Sequence, residues 1–153
     1  MLHRLSLVDR TRQDPYRTVR VHALIQRAVR ETLTPDLFER TARSAADALT
    51  AAWPEVERDT TLCQALRTCT TTLITWAGPD LHRPHAHGVL SRSGRSLGET
   101  GQVTAAITYH RHLVETTTEH LGPRHPHALD ARHSLAYWRR QTGDAAAPSS
   151  QDG

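Results

Sequence analysis

A chain of 153 residues that is 37% hydrophobic and 5% aromatic can bury one modest core, and it favours Ala-rich helical packing over a thick mixed one. No apolar run approaches the length of a membrane-spanning helix, and Met1-Leu2-His3-Arg4 leads into no signal-peptide core, so a soluble, cytoplasmic, unexported protein is expected. Net charge is +3 and the pI is near 9.4, but all 19 basic residues are Arg, a coding bias that lowers the value of the Arg count as evidence for a partner.

In chain order, Leu5-Ser6-Leu7-Val8 reads as a short strand, Arg10 to Pro15 as a polar turn, and Tyr16 to Val21 as a second strand with Val19 and Val21 on one face. That is a β-hairpin. From His22 the period becomes helical, with Ile25, Ala28, Val29 and Leu33 along one face and Thr34-Pro35 ending it. Phe38, Ala42, Ala45, Leu49 and Ala52 mark the next helix, stopped at Trp53-Pro54. Leu62, Ala65, Leu66, Cys69, Leu73 and Trp76 mark a third, stopped at Gly78-Pro79. Within that stripe Cys69 reads as a small core residue. Cys63 and Cys69 point to different faces of one helix, so they neither bridge nor chelate, which fits a reducing compartment.

After a Pro- and His-containing linker, Leu90, Gly94 and Leu97 recur at helical spacing and Gly101-Gln102 breaks the helix. Val103, Ile107, His110, Val114, Thr117 and Leu121 follow on one stripe, flanked by Ala106 and Leu113. Leu121-Gly122-Pro123-Arg124-His125-Pro126 then closes one helix and opens another, marked by Ala128, Ala131, Leu135 and Trp138. The Gly-plus-polar break returns at Gly143-Asp144, a period of about 40 residues characteristic of helical-hairpin arrays. The expected organisation is a hairpin and helix over residues 1–34, a helical pair over 35–79, a linker over 80–85, a repeat region over 86–144 and a disordered tail over 145–153. The fold class is mainly α, with antiparallel helical hairpins stacked as a solenoid after the short β-hairpin.

Two stretches resemble known families. Strand, hairpin and Val21-His22-Ala23-Leu24-Ile25-Gln26 are similar to the end of the winged-helix domain in signal-transducing ATPases of the NB-ARC, or STAND, type. The resemblance implies that His22 takes the place of a His that contacts the β-phosphate of bound ADP, as part of a Met-His-Asp motif. Val21 stands at the Met position and Ala23 replaces the Asp. No G-x-x-x-x-G-K-[ST] phosphate loop is present, so His22 would need a nucleotide-binding domain outside this chain, and no cofactor is expected for the chain itself. The chain looks like the C-terminal part of such a protein, beginning inside a domain. Alternatively, His22 merely starts an ordinary helix. Residues 86–144 resemble tetratricopeptide repeats of the longer, kinesin-light-chain-like kind, in which Leu-Gly-Pro-x-His-Pro joins consecutive hairpins. Gly94 and Ala136 occupy the close-contact position in the two copies, while Ser93 and Arg132 depart from the apolar residues usual at theirs. The resemblance implies that the first helix of each hairpin lines a concave face, at Ser91 and Arg95 in one copy and His133, Tyr137 and Arg140 in the next.

Catalytic signatures are missing. His82, His85 and His87 crowd one segment without the Cys or carboxylates that would complete a zinc site, and His110 and His112 face different ways on a helix, so no metal site is expected. No G-x-S-x-G turn occurs, and no enzyme activity is expected. Two functional classes remain. One is a non-catalytic interaction scaffold whose groove, with two Arg, a Tyr and a His, suits an acidic or carboxylate-ended protein segment, and whose N-terminal part docks on an ATPase half in the same or another chain. The other is a nucleic-acid-binding regulator that lays the Arg-rich hairpin, with Arg10, Arg12, Arg17 and Arg20, along phosphates. The recognition helix that would precede such a hairpin is absent, which favours the scaffold. The plainer account of the groove residues is a solvated helix face.

Overall fold

A computed structural model of the chain describes residues 8–9 and 20–146. Among these the fold is mainly helical: two strands, β1 (Val8–Asp9) and β2 (Arg20–Val21), precede helices α1 (Ala23–Thr32), α2 (Pro35–Ala52) and α3 (Thr60–Ala77). A 3-10 turn (Asp80–His82) then leads to α4 (Gly88–Glu99), α5 (Val103–Leu121) and α6 (Pro126–Ala146). None of these helices is long and apolar enough to cross a membrane. The chain divides into two compact units between Thr41 and Ala42, inside α2.

In the first unit β1 and β2 pair antiparallel over two residues each, Val8 opposite Val21 and Asp9 opposite Arg20. The rest of the expected hairpin, including Arg10, Arg12 and Arg17, lies outside the described residues. His22 caps α1, its Nδ1 accepting the Leu24 amide at 3.2 Å, and Gln26 Nε2 donates back to the Val21 carbonyl at 2.8 Å. Thr34 caps α2 through its Oγ1, which accepts the Leu37 amide at 3.3 Å, and Pro35 occupies the first helical turn, where its missing N–H costs nothing. α1 buries none of its residues.

The second unit is built on α3 to α6 and the end of α2. Its core joins Ala46, Trp53, Leu66, Leu81, Ala86, Val89, Leu90, Leu113 and Ala131. Three residues link α4 to α5 and four link α5 to α6, so each pair runs antiparallel. Gly101 (φ 81°) and Gly122 (φ 91°) supply the left-handed backbone at these corners, where a side chain would be strained. α4 packs close on α5 at Gly94, where an added Cβ would come within 2.6 Å of the Tyr109 ring. At Gly98 an added Cβ would run into the Trp138 ring of α6.

Five expectations need correction. The α3 stripe holds in part: Leu66 is buried and Leu62 and Leu73 pack on the core, but Cys63, Arg67, Thr70 and Ala77 are buried beside them, whereas Cys69 is exposed and Trp76 is 55% exposed. Polar Arg67 and Thr70 can go inside because both are hydrogen-bonded, which apolar periodicity alone does not register. In α2 the inward alanines are Ala42 and Ala46 rather than Ala45 and Ala52. Residues 80–85 are no bare linker. Leu81 is completely buried there, and the segment is tied down by Arg43, whose Nη1 donates to the Arg83 carbonyl at 2.5 Å. Lastly, Gly143-Asp144 does not break α6, which continues through Ala145 and Ala146, two strong helix formers with no Pro beside them. Ala136 is exposed rather than held in a close crossing. Residues 147–153 lie outside the described part.

Candidate functional site

Spacings of four on α4 (Ser91, Arg95) and of four and three on α6 (His133, Tyr137, Arg140) place each set on one helical face. α5 is the common support of both helices. The five side chains line a single cavity of about 670 Å3, together with Arg92, His110, Ser134 and Trp138. That volume lies in the range usual for ligand sites. Ser91, Arg95, His133, Tyr137 and Arg140 are all exposed, and Tyr137 meets Trp138 edge to face with ring centroids 4.8 Å apart. No Asp or Glu among the described residues lines the cavity.

Its floor is His110 of α5, buried against Gly94, with no hydrogen-bond partner on either ring nitrogen. Burial holds its pKa below the ordinary imidazole value, so at neutral pH the ring carries one N–H and one lone pair. Neighbouring Tyr109 is also enclosed. Its phenol oxygen is buried without a hydrogen-bond partner, and burial pushes its pKa up to about 12.

Beneath the α4 wall lies an ion cluster centred on Glu57, a residue of the α2–α3 loop with a side chain only 4% exposed. Ser96 Oγ donates to Glu57 Oε2 at 2.7 Å, Trp53 Nε1 donates to Oε1 at 2.7 Å, and Arg92 Nη2 stands 3.0 Å from Oε1. Arg67 donates to Ser96 Oγ at 2.7 Å and lies 3.9 Å from Glu57. Burial alone would raise the Glu57 pKa. The hydrogen bonds from Ser96, Trp53 and Cys63, with the charge of Arg92, outweigh it and hold the carboxyl below its ordinary value. Arg92 also reaches the Pro54 carbonyl at 2.8 Å and Glu99 at 3.0 Å, and its guanidinium sits 5.4 Å from the centre of the Trp53 ring. Arg95 shares Glu99 at 3.3 Å. Arg92 is therefore a fixed wall of the cavity, whereas Arg95 and Arg140 are its exposed cations.

Several histidines outside the cavity take structural places. His87 and His125, like His22, cap helices through Nδ1: His87 accepts the Val89 amide at 3.1 Å, which puts its proton on Nε2, 2.9 Å from Asp47 Oδ1. His85 stacks on His127, which stacks on His125. His82 is buried with Nδ1 2.8 Å from the Gly78 carbonyl, its ring 4.9 Å from that of His120, beside a smaller cavity of about 220 Å3. Burial lowers its pKa, opposed by the Gly78 hydrogen bond and assisted by His120 and His112. Among the described residues no three His, Cys, Asp or Glu side chains converge as a metal site. His22, the candidate phosphate contact, lies exposed at the start of α1.

No protein family, curated protein or solved structure matches the chain. Arg92, His110 and Trp138 belong to the cavity without standing at the positions that the repeat spacing selects. His110 and Trp138 carried a signal, because both lie on apolar stripes facing the same partner helix. Glu57 carried none, since its contacts to Ser96 and Arg92 come from distant parts of the chain.

Proposed function

We propose that the chain is a non-catalytic interaction scaffold that holds an acidic or carboxylate-ended protein segment in the groove between α4 and α6. The observation that carries this reading is the convergence of Ser91, Arg95, His133, Tyr137 and Arg140 on one cavity free of carboxylates. Arg forks bind carboxylates through paired hydrogen bonds, and Tyr adds contact area at small entropic cost. The paired α4–α5 and α5–α6 helices, the Leu121-to-Pro126 joint and the Gly corners are compatible with a tetratricopeptide-like solenoid. With the Val21-to-Gln26 resemblance, they support placing the chain in the repeat-bearing C-terminal portion of a cytoplasmic STAND-type ATPase, the β1–β2 pair and α1 being the end of its winged helix. On that view His22 meets nucleotide only when an ATPase half is present, and in this chain it serves as a helix cap.

A peptide array spanning acidic, neutral and basic sequences, probed with wild type and with the Arg95→Ala/Arg140→Ala double variant, tests the groove. Acidic peptides retained by wild type and lost by the variant support it. Equal retention of every peptide by both proteins would remove it.

A further inference from the structure

We infer that the occupant of this groove is a phosphorylated peptide segment, its phosphoryl group seated between Arg95 and Arg140. The inference rests on the scaffold reading above and names the group that the groove selects.

Charge is the first ground. Arg67, Arg92, Arg95 and Arg140 place four guanidiniums in and beneath the cavity wall, and the two carboxylates paired with three of them are Glu57 and Glu99. Among the described residues Arg140 forms no ion pair. The wall thus carries a surplus of two positive charges. A carboxylate offsets one, whereas a phosphate monoester carries about −1.5 to −2 at pH 7 and offsets both.

Donor supply is the second. The hydroxyls of Ser91, Ser134 and Tyr137 line the cavity and have no intramolecular partner among the described residues. With the forks of Arg95 and Arg140 they exceed what the two oxygens of a carboxylate can accept. Three phosphoryl oxygens use more of them. His110 closes the floor of the same cavity with both ring nitrogens buried and unpartnered. Size is the third. About 670 Å3 holds more than a phosphoryl group, and the residues flanking a phosphorylated side chain fit along Tyr137 and Trp138.

The test is fluorescence anisotropy on the full chain with three labelled degenerate peptides that are identical except for a central phosphoserine, Glu or Ser, and with a labelled single-stranded oligonucleotide of equal charge. Expected are at least tenfold tighter binding of the phosphoserine peptide than of the Glu peptide, and competition by millimolar inorganic phosphate. At least tenfold loss is expected in Arg140→Ala and a partial loss in Arg140→Lys, which keeps the charge and loses the fork. Arg140 is exposed, so unchanged thermal midpoints confirm that these variants are folded. Phosphoserine and Glu peptides bound within twofold of each other overturn the phosphoryl inference and leave the acidic-groove reading standing. Failure of all three peptides, or equal binding by Arg95→Ala/Arg140→Ala, overturns both. Tighter binding of the oligonucleotide than of the phosphopeptide overturns the choice of a peptide.

Discussion

Helices α1 and α4 have similar lengths, ten and twelve residues, and opposite fates. α1 carries Leu24, Ile25, Ala28 and Val29 on one side and buries nothing, with Leu24 68% exposed. α4 has few large apolar side chains, yet it buries six positions, four of them Ser or Gly. Amphipathic periodicity says which face a helix would bury. Small residues at the crossing decide how closely a neighbour can approach, and in α4 that closeness is used to seat Tyr109, His110 and Trp138 against the backbone. The buried hydroxyls of α4 are not wasted, since Ser96 bridges Arg67 and Glu57.

The largest expected effect follows from that bridge. Glu57→Ala leaves Arg67 and part of Arg92 buried without their counter-charge, a loss of about 3 to 5 kcal/mol. In α1, Glu31→Ala breaks the exposed 2.6 Å pair with Arg27, worth at most about 1 kcal/mol. Urea unfolding of the two variants measures the contrast, and equal losses would erase it. Next comes Gly94→Leu, which drives a side chain into Tyr109 and His110 and costs about 1 to 3 kcal/mol, against little for Ser91→Leu at the exposed groove edge. Equal thermal midpoints would contradict the packing described for α4. A smaller effect is expected from pH. His82 and His110 have folded pKa values depressed below the ordinary 6.5, so the unfolded chain binds more protons in acid. Their contribution to stability is fully present above that value and is lost as pH falls towards the folded pKa values. Glu57, whose folded pKa is also lowered, adds to the loss at still lower pH. Thermal midpoints therefore fall from pH 7.5 to 5.5, and the fall is shallower in His82→Gln; a midpoint flat over that range would refute the assignment. The smallest effect is Leu24→Ala, within about 0.5 kcal/mol because the side chain is mostly exposed, and a loss above 2 kcal/mol would show that α1 has a packed face after all.

Where apolar residues alone set the packing, the helix faces were legible in the sequence. The stripe through Ala128, Ala131, Leu135 and Trp138 of α6 is buried as spaced, whereas in α5 the buried line runs through Ala106, His110, Leu113 and Thr117 and leaves Val103, Ile107, Val114 and Leu121 of the expected stripe half-buried. The five groove residues share one cavity because they follow the same spacing one face over. α3 was misread in part, since hydropathy places Arg67 and Thr70 outside and cannot see that Glu57 and Ser96 receive the first of them, across 29 positions in the case of Ser96. The Asp80–His82 turn was hidden for a related reason. The Pro and His residues of the 80–85 segment read as linker, while Leu81 within it completes the core. Helix capping by His87 and His125 likewise escaped notice because His is weighed first as a ligand or a base, whereas the plainer reading of His22, as the start of an ordinary helix, fits its cap.

The measurement that bears most directly on the groove is an amide chemical-shift titration of the full chain with an acidic peptide selected on the array. Shifts concentrated at Ser91, Arg95, His133, Tyr137 and Arg140, with α1 unmoved, are the predicted result. Shifts centred instead on the uncovered Leu24-to-Val29 face of α1 would contradict the account.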